Sequence, residues 1–489
     1  MLEAAIRDKY QPVIGLEVHI QLASDSKLFA IEDFAFGSEP NTHLSPITFA
    51  HPGALPSLNK RCIEFAVKLG LAVGAEINTH TYFDRKNYFY PDLPKGYQMS
   101  QDREPICKGG NLRIRTAKGD YHTIKIHHLH LEEDAGKSVH DQSPQESFID
   151  LNRAGVGLIE LVTEPDLRSP EEAAAFMAEI RRLVRYLGVG DGDMEKGNLR
   201  CDANVSVMLK DAKEYGTRAE IKNMNSMSYL EKAVVYEIQR QIKLIESGGT
   251  VIQETRTWDV ENERSLSLRD KESADDYRYF PEPDLLPVQI KQEEIDAIAQ
   301  EIPELPLVRF DRYHKEYGIS ENEAWSLVEQ RADSDYFEAL HRATTDPRLA
   351  ANWFMGPIRS YLNEQQLEIT DFPLRPAQLL DLIKLMQEGK VNRQAATGPL
   401  FKAFVADPEA NVLRIAEKLN LIINNDSGEL EKYMEEIMTQ HPKEVSLYRG
   451  GKKKLMGFFV GQMMRKLQGK GDPKAVNQIV REKLDNWDN

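Results

Sequence analysis

The chain has 489 residues, 62 Lys and Arg against 78 Asp and Glu, and 41% hydrophobic residues, which describes a folded protein of two to four domains and excludes a disordered scaffold. Cys62, Cys107 and Cys201 stand far apart, so neither a disulfide framework nor a cysteine zinc cluster is available. No run approaches the roughly 18 apolar residues of a membrane span, and the first residues lack a basic stretch followed by an apolar core; a cytoplasmic chain with no membrane contact is expected.

In chain order, VIGLEVHIQL (13–22) reads as a strand with Leu16, Val18, Ile20 and Leu22 on one face and Gly15, Glu17, His19 and Gln21 on the other. FDRKNYFYPDLPKGYQMSQ (83–101) crowds Lys86, Lys95 and several tyrosines into a turn-rich stretch, which suits either a pocket or channel lining or a hairpin with exposed tyrosines. HLHLEEDAGKS (128–138) ends an apolar strand on Glu132, Glu133 and Asp134, and GVGLIELVTEPD (155–166) sets Glu160 among Leu158, Ile159, Leu161 and Val162. A helix begins at Ser169 as N-cap, with Pro170 in its first turn, Glu172 closing a capping box and Gly188 as its stop. A second helix, about 228–247, ends at Gly248-Gly249. After IPELP (302–306) the apolar spacing is helical throughout, as in RPAQLLDLIKLMQEG and PKAVNQIVREKL. The expected class is α+β: a body over 1–295 with a mixed or antiparallel sheet and helices, an all-α domain over 296–407, and a small all-α tail over 408–489 that begins at Pro408.

Glutamates in apolar strands need a partner, because an unpaired buried carboxylate costs several kcal/mol or shifts its pKa. One histidine with several carboxylates is a hard, oxygen-rich donor set that suits Mg²⁺ or Mn²⁺ better than zinc. Salt bridges to Arg153 or Lys137 would satisfy the same carboxylates, and a half-exposed strand gives the same alternation around Glu17 and His19. AGKS (135–138) is not a Walker A motif, since Leu131 stands where its first glycine belongs; GxGxxG and GxSxG are also absent. Charge is uneven. Residues 450–489 hold nine Lys/Arg and four Asp/Glu, net +5, so the first 449 carry −21 of the total −16. Such a tail fits either an ordinary solvated helix face or contact with RNA phosphates.

These segments, in this order, resemble the B subunits of the aspartyl/glutamyl-tRNA amidotransferases, the GatB/GatE family. The resemblance is carried by GLEVHIQL, HPGALPSLNK, FDRKNYFYPDLPKGYQ, HLEEDAGKS, DLNRAGVGLIELVTEPDLRSPEEA, MEKGNLRCDANVSV, GTRAEIKNMNS, DDYRYFPEPDLLP and GFFVGQMMRK. The GatE branch has an extra inserted domain for which 489 residues leave no room, so the resemblance is to the bacterial B type. It implies a cradle domain, a helical domain and a helical tail. It also implies an ATP-dependent ligase that phosphorylates the side-chain carboxylate of Glu-tRNA(Gln) or Asp-tRNA(Asn) and replaces the phosphate with ammonia. That ammonia would come from glutamine, hydrolysed by a separate amidase-type A subunit, and a small C subunit would complete a heterotrimer. By resemblance, His19, Glu133 and Glu160 hold Mg²⁺, Glu17, Glu132 and Arg153 lie at the cofactor, and Glu133, Lys86 and Lys95 are the catalytic and channel positions. Lys452, Lys453, Lys454, Arg465 and Lys466 are the expected tRNA contacts. Relatives often carry a four-cysteine zinc knuckle where this chain has LFAIEDFAFGSEPNTHLSPITFAHPG (28–53) without cysteine, so no structural zinc is expected. Arg218 stands where lysine is common, which keeps the charge. Two other readings fit the residues: a non-catalytic tRNA-binding adaptor with a structural acidic pocket, and a Mg²⁺-dependent hydrolase acting on a small phosphorylated substrate.

Overall fold

The computed structural model describes residues 4–139, 143, 145–270, 277–423, 427–467 and 473–486, and the chain divides into two units, Met1–Arg309 and Phe310–Asn489. The elements that build the first unit's site are, in order, β1 (Tyr10–Gln21), α1 (Lys60–Ala72), β2 (Asp84–Asn87), β3 (Tyr97–Ser100), β4 (Tyr121–Glu133), β5 (Gly157–Thr163), α2 (Pro170–Leu187), β6 (Leu199–Leu209), β7 (Ala219–Met224), α3 (Met227–Glu246), β8 (Glu254–Asp259) and β9 (Arg264–Asp270).

A ten-stranded sheet runs β9-β8-β7-β6-β1-β5-β4 and continues through the short strands Cys107–Lys108 and Glu76–Ile77, with Asn111–Arg115 also paired to β4. Every pairing in it is antiparallel except β7 with β8, so the sheet is mixed and the α+β class holds. One face is apolar. Leu16, Val18 and Ile20 of β1, Leu129 and Leu131 of β4, Ile159 and Leu161 of β5, and Ala203 and Val205 of β6 are buried with Phe65 of α1, Phe176 and Ile180 of α2, and Leu230 and Val234 of α3. Each large apolar side chain among them contributes about 1.5–3 kcal/mol by leaving water, which fixes the strand phase and turns the alternate residues to the opposite, polar face.

The helices start and stop where the sequence signals place them. Ser169 accepts a hydrogen bond from the Glu172 amide, and Gly188 closes α2 at φ 66°, a left-handed cap that glycine adopts without a Cβ penalty. The Glu172 carboxylate accepts from the Arg168 amide, one residue earlier than a reciprocal capping box would have it. In α3, Ser226 accepts from the Tyr229 amide.

β4 contains a bulge that decides the site. Its register with β5 pairs Val162 with His128 but Thr163 with Ile126, so His127 is an extra residue. Ile124 and Ile126 before it and Leu129 and Leu131 after it are all buried, although the two pairs have opposite parity. His128, His130 and Glu132 consequently share the polar face.

The second unit is helical and has two separate apolar clusters among its described residues, one from Phe310 to Ala416 and one from Leu430 to Leu484. Val412 and Ala416, beyond Pro408, pack in the first of these. No described helix is long and apolar enough to cross a membrane.

Candidate active site

Sheet register lines up Arg200 of β6, His19 of β1, Glu160 of β5 and His130 of β4 as direct neighbours across four strands. His19 Nε2 lies 3.2 Å from Glu160 Oε2 and 3.6 Å from Glu132 Oε1; His130 Nε2 lies 3.6 Å from Glu132 Oε2 and 3.7 Å from Glu160 Oε2. One donor atom from each of His19, Glu132 and Glu160 falls within 4.8 Å of the others. An imidazole nitrogen and two carboxylate oxygens converging on one point suit a hard divalent cation.

Electrostatics favour a cation here. Burial alone would lower the pKa of His19, but the hydrogen bond and charge of Glu160, with Glu132 and Asp202, raise it to about 9. Burial alone would raise that of Glu160, but His130, His19 and Lys86 hold it well below the ordinary carboxylate value. His128 is pushed down to about 4 by burial and by its neighbours His130 and His127, which keeps it neutral. A cation on His19 would therefore displace a proton that the two carboxylates otherwise hold there.

Glu133 does not join this cluster. Successive strand residues point to opposite faces, and Glu133 turns away from Glu132 to form an ion pair with Lys95 and to accept a hydrogen bond from the Met99 amide at 2.9 Å. The resemblance implies His19, Glu133 and Glu160 as the ligand set, whereas the groups that converge here are His19, Glu132 and Glu160. Glu133 and Lys95 instead border a small void of about 20 Å³ with Phe29, Ile47 and Thr48. Lys86 belongs to the other side: its Nζ lies 5.1 Å from the Tyr277 ring centre. Burial opposes its charge, but Tyr279, Glu132, Glu160 and Tyr88 outweigh burial and raise its pKa.

Glu17 faces a second acidic group. With Asp202 and Glu220 it brings three carboxylates within 4.8 Å, and it accepts a hydrogen bond from Asn204 Nδ2 at 2.8 Å. Lys222 already sits among them, 2.6 Å from Asp202 and 3.0 Å from Glu220, so a protein cation offsets their charge. Arg153 Nε and Arg200 Nη2 share Asp134 Oδ2 at 3.1 and 2.9 Å. A cleft of about 860 Å³ joins these parts, lined by His19, Arg153, Lys196, Arg200, Asp202 and Lys222 among others. The loop after β1 is fastened by polar contacts: Lys27 Nζ donates to the His43 carbonyl, Ser45 Oγ donates to Glu32, and Asn152 Oδ1 accepts from the His43 amide.

In the tail, Lys452, Lys454 and Arg465 are exposed without an ion pair among the described residues, whereas Lys453 pairs with Asp485 at 2.9 Å and Lys466 with Glu436. His130, Arg200, Asp202 and Lys222 join the site without a sequence signal that singles them out. The faces of His130 and Asp202 are recoverable, since HLHLE and CDANVSV alternate in the same way as β1. Arg200 and Lys222 need the register.

The fold and site define an α+β domain whose sheet gathers a His-carboxylate cluster on its polar face, beside a cleft lined by Arg153, Lys196, Arg200 and Lys222. Comparison with known proteins then shows its family. The GatB/GatE catalytic domain matches residues 12–296 and the GatB domain matches 335–484. The chain is 47% identical over 472 residues to the B subunit of the aspartyl/glutamyl-tRNA(Asn/Gln) amidotransferase of Thermodesulfovibrio yellowstonii, covering 96% of this chain and 98% of that one. It is 47% identical over 477 residues to the protein of the same name from Chlorobium limicola, covering 98% and 100%. The chain belongs to the GatB/GatE family.

Proposed function

We propose that this chain is the B subunit of a tRNA-dependent amidotransferase, which converts Glu-tRNA(Gln), Asp-tRNA(Asn) or both to the amide with ATP and ammonia. The observation that carries this reading is the convergence of His19, Glu132 and Glu160 at one end of a basic cleft, in a chain of this family. A glutamine-hydrolysing A subunit supplies the ammonia and a small C subunit completes the heterotrimer.

His19, Glu132 and Glu160 would hold Mg²⁺, which when bound offsets the charge of the triphosphate and of the substrate carboxylate. Arg153 and Arg200, fixed by Asp134, face the phosphates from the cleft wall. A carboxylate is a poor electrophile. Its attack on the γ-phosphorus releases ADP and gives an acyl phosphate, whose carbonyl carbon ammonia can attack. The new C–N bond forms, the C–O bond to phosphate breaks, and the surplus proton of the ammonia leaves with the phosphate. Lys86 brings a fixed positive charge close to Glu132 and Glu160, where negative charge collects in both steps. Glu133 and Lys95 border the void on the far face of the strand end, a fitting entry for a small neutral nucleophile. The exposed tail cations Lys452, Lys454 and Arg465 suit the tRNA backbone.

The test is amide formation by the chain reconstituted with its A and C partners, Mg²⁺, ATP, Glu-tRNA(Gln) and ammonium chloride in place of glutamine. Glu132→Gln should lose at least about 100-fold in rate while still binding tRNA, in line with loss of a metal ligand. Equal product from variant and wild type would move the chemistry elsewhere and favour the adaptor reading.

A further inference from the structure

The cleft has an end that lies beyond the metal-ready cluster. There the segments Phe34–Ser38 and Met194–Asn198 face each other, and Phe36 presents a ring that is 63% exposed. Lys196 Nζ sits 5.8 Å from the ring centre and is itself anchored 3.1 Å from Asp193. Both segments are built rather than loose. Asp193 Oδ1 accepts from the Glu195 and Lys196 amides at 3.0 and 3.2 Å, and Ser38 Oγ is bonded to His43 Nε2 at 2.8 Å.

β6 gives this cleft a direction. Lys196 lies just before the strand, Arg200 is its second residue and neighbours His19, and Asp202 follows on the same face, with about 3.3 Å between successive residues. An aromatic surface therefore comes first, then fixed guanidinium groups, and level with Arg200 the metal-ready cluster of His19, Glu160 and Glu132 extends across the neighbouring strands. That is the sequence of a nucleoside triphosphate: a flat base, a phosphate chain, and the terminal phosphate beside the cation.

We propose that Phe36 is the stacking platform for the base of the nucleoside triphosphate, with Lys196 closing one side of the ring. This rests on the reading that the cleft takes ATP, and it adds the ligand's orientation and the residues that hold its base.

The experiment uses the full chain with its A and C partners and ammonium as nitrogen source. The KM for ATP and the KM for Glu-tRNA(Gln) are measured for wild type, Phe36→Ala and Phe36→Trp. Stacking of a base on an aromatic ring predicts a rise of about tenfold in the KM for ATP in Phe36→Ala, with a much smaller change in kcat, and recovery in Phe36→Trp. A rise confined to the KM for Glu-tRNA(Gln) would assign the ring to the 3′-terminal adenosine of the tRNA and overturn the proposal. Unchanged KM values, or a loss of activity that Phe36→Trp does not restore, would overturn it as well. Photolabelling of the wild-type complex with 8-azido-ATP should mark the peptides holding residues 34–38 or 194–198; labelling elsewhere would refute it. Should the wild-type complex form no ATP-dependent amide at all, the amidotransferase reading fails first, which separates the two.

Discussion

Raising the pH of the metal-free protein should cost it stability through the imidazoles whose pKa values are raised, His19 above all. The imidazole of His19 titrates at 6.5 in the unfolded chain and at about 9 beside Glu160 and Glu132. A group whose folded value is raised contributes stability that is fully present below 6.5 and is lost as pH climbs through about 9. The gap between those values, at about 1.4 kcal/mol for each tenfold, puts the loss at about 3 kcal/mol. Glu160 stays ionised throughout, because its own pKa is held well below 4.5. For a unit of this size the shift in melting temperature is on the order of 5 °C. The assay is thermal unfolding in EDTA from pH 6 to pH 10, comparing wild type with His19→Gln so that other titrating groups cancel. Mg²⁺ should restore stability most at high pH, where it no longer competes with a proton on His19. A wild-type profile parallel to that of His19→Gln over pH 6.5–9 would refute the assignment of His19 to a cation-hungry cluster.

Three further outcomes follow from the geometry. Glu133→Gln and Lys95→Met should depress glutamine-driven amide formation several-fold more than ammonium-driven formation, because the pair borders the void and lies away from the metal-ready cluster; equal depression would place Glu133 in the chemistry itself. Gly70→Ala would drive a methyl group into Cys107 Sγ inside α1, so the gain of about 1 kcal/mol in helix propensity should be exceeded by overpacking of about 1–3 kcal/mol, relieved by Cys107→Ala in a denaturant-unfolding cycle. Replacing Lys452, Lys454 and Arg465 together by alanine should weaken tRNA binding and reduce its salt slope by about 1 per cation, measured by filter binding, whereas the ion-paired Lys453 and Lys466 should matter less.

Much of the site was legible in the sequence because strands advertise their faces. The phase of β1, set by Leu16, Val18 and Ile20, puts Glu17 and His19 on the polar side, and Glu160 among branched apolar residues declares a carboxylate that needs a partner. Ser169 and Gly188 bound α2 for reasons that do not depend on tertiary context. What the sequence does not supply is which residues of different segments become neighbours. Arg200 reaches His19 only through the register of β6 with β1, and Lys222 reaches Asp202 only through a shift in the pairing of β6 with β7.

The case of Glu132 and Glu133 shows where pattern reading stops. Counted from Ile124 and Ile126, the even residues of β4 face the core, which would bury Glu132 and leave Glu133 on the polar side; counted from Leu129 and Leu131, the assignment inverts. Two phases thus coexist in one strand, and only an extra residue between them reconciles both with a single core. The bulge at His127 is that residue. Both carboxylates are buried, so burial alone does not separate them. Their surroundings do: Glu132 meets the imidazoles of His19 on β1 and His130 on its own strand, while Glu133 meets the Lys95 ammonium and the Met99 amide. One inserted histidine thereby gives adjacent glutamates different partners on opposite faces, one in a position to hold a cation and the other in a position to border the path of a small nucleophile.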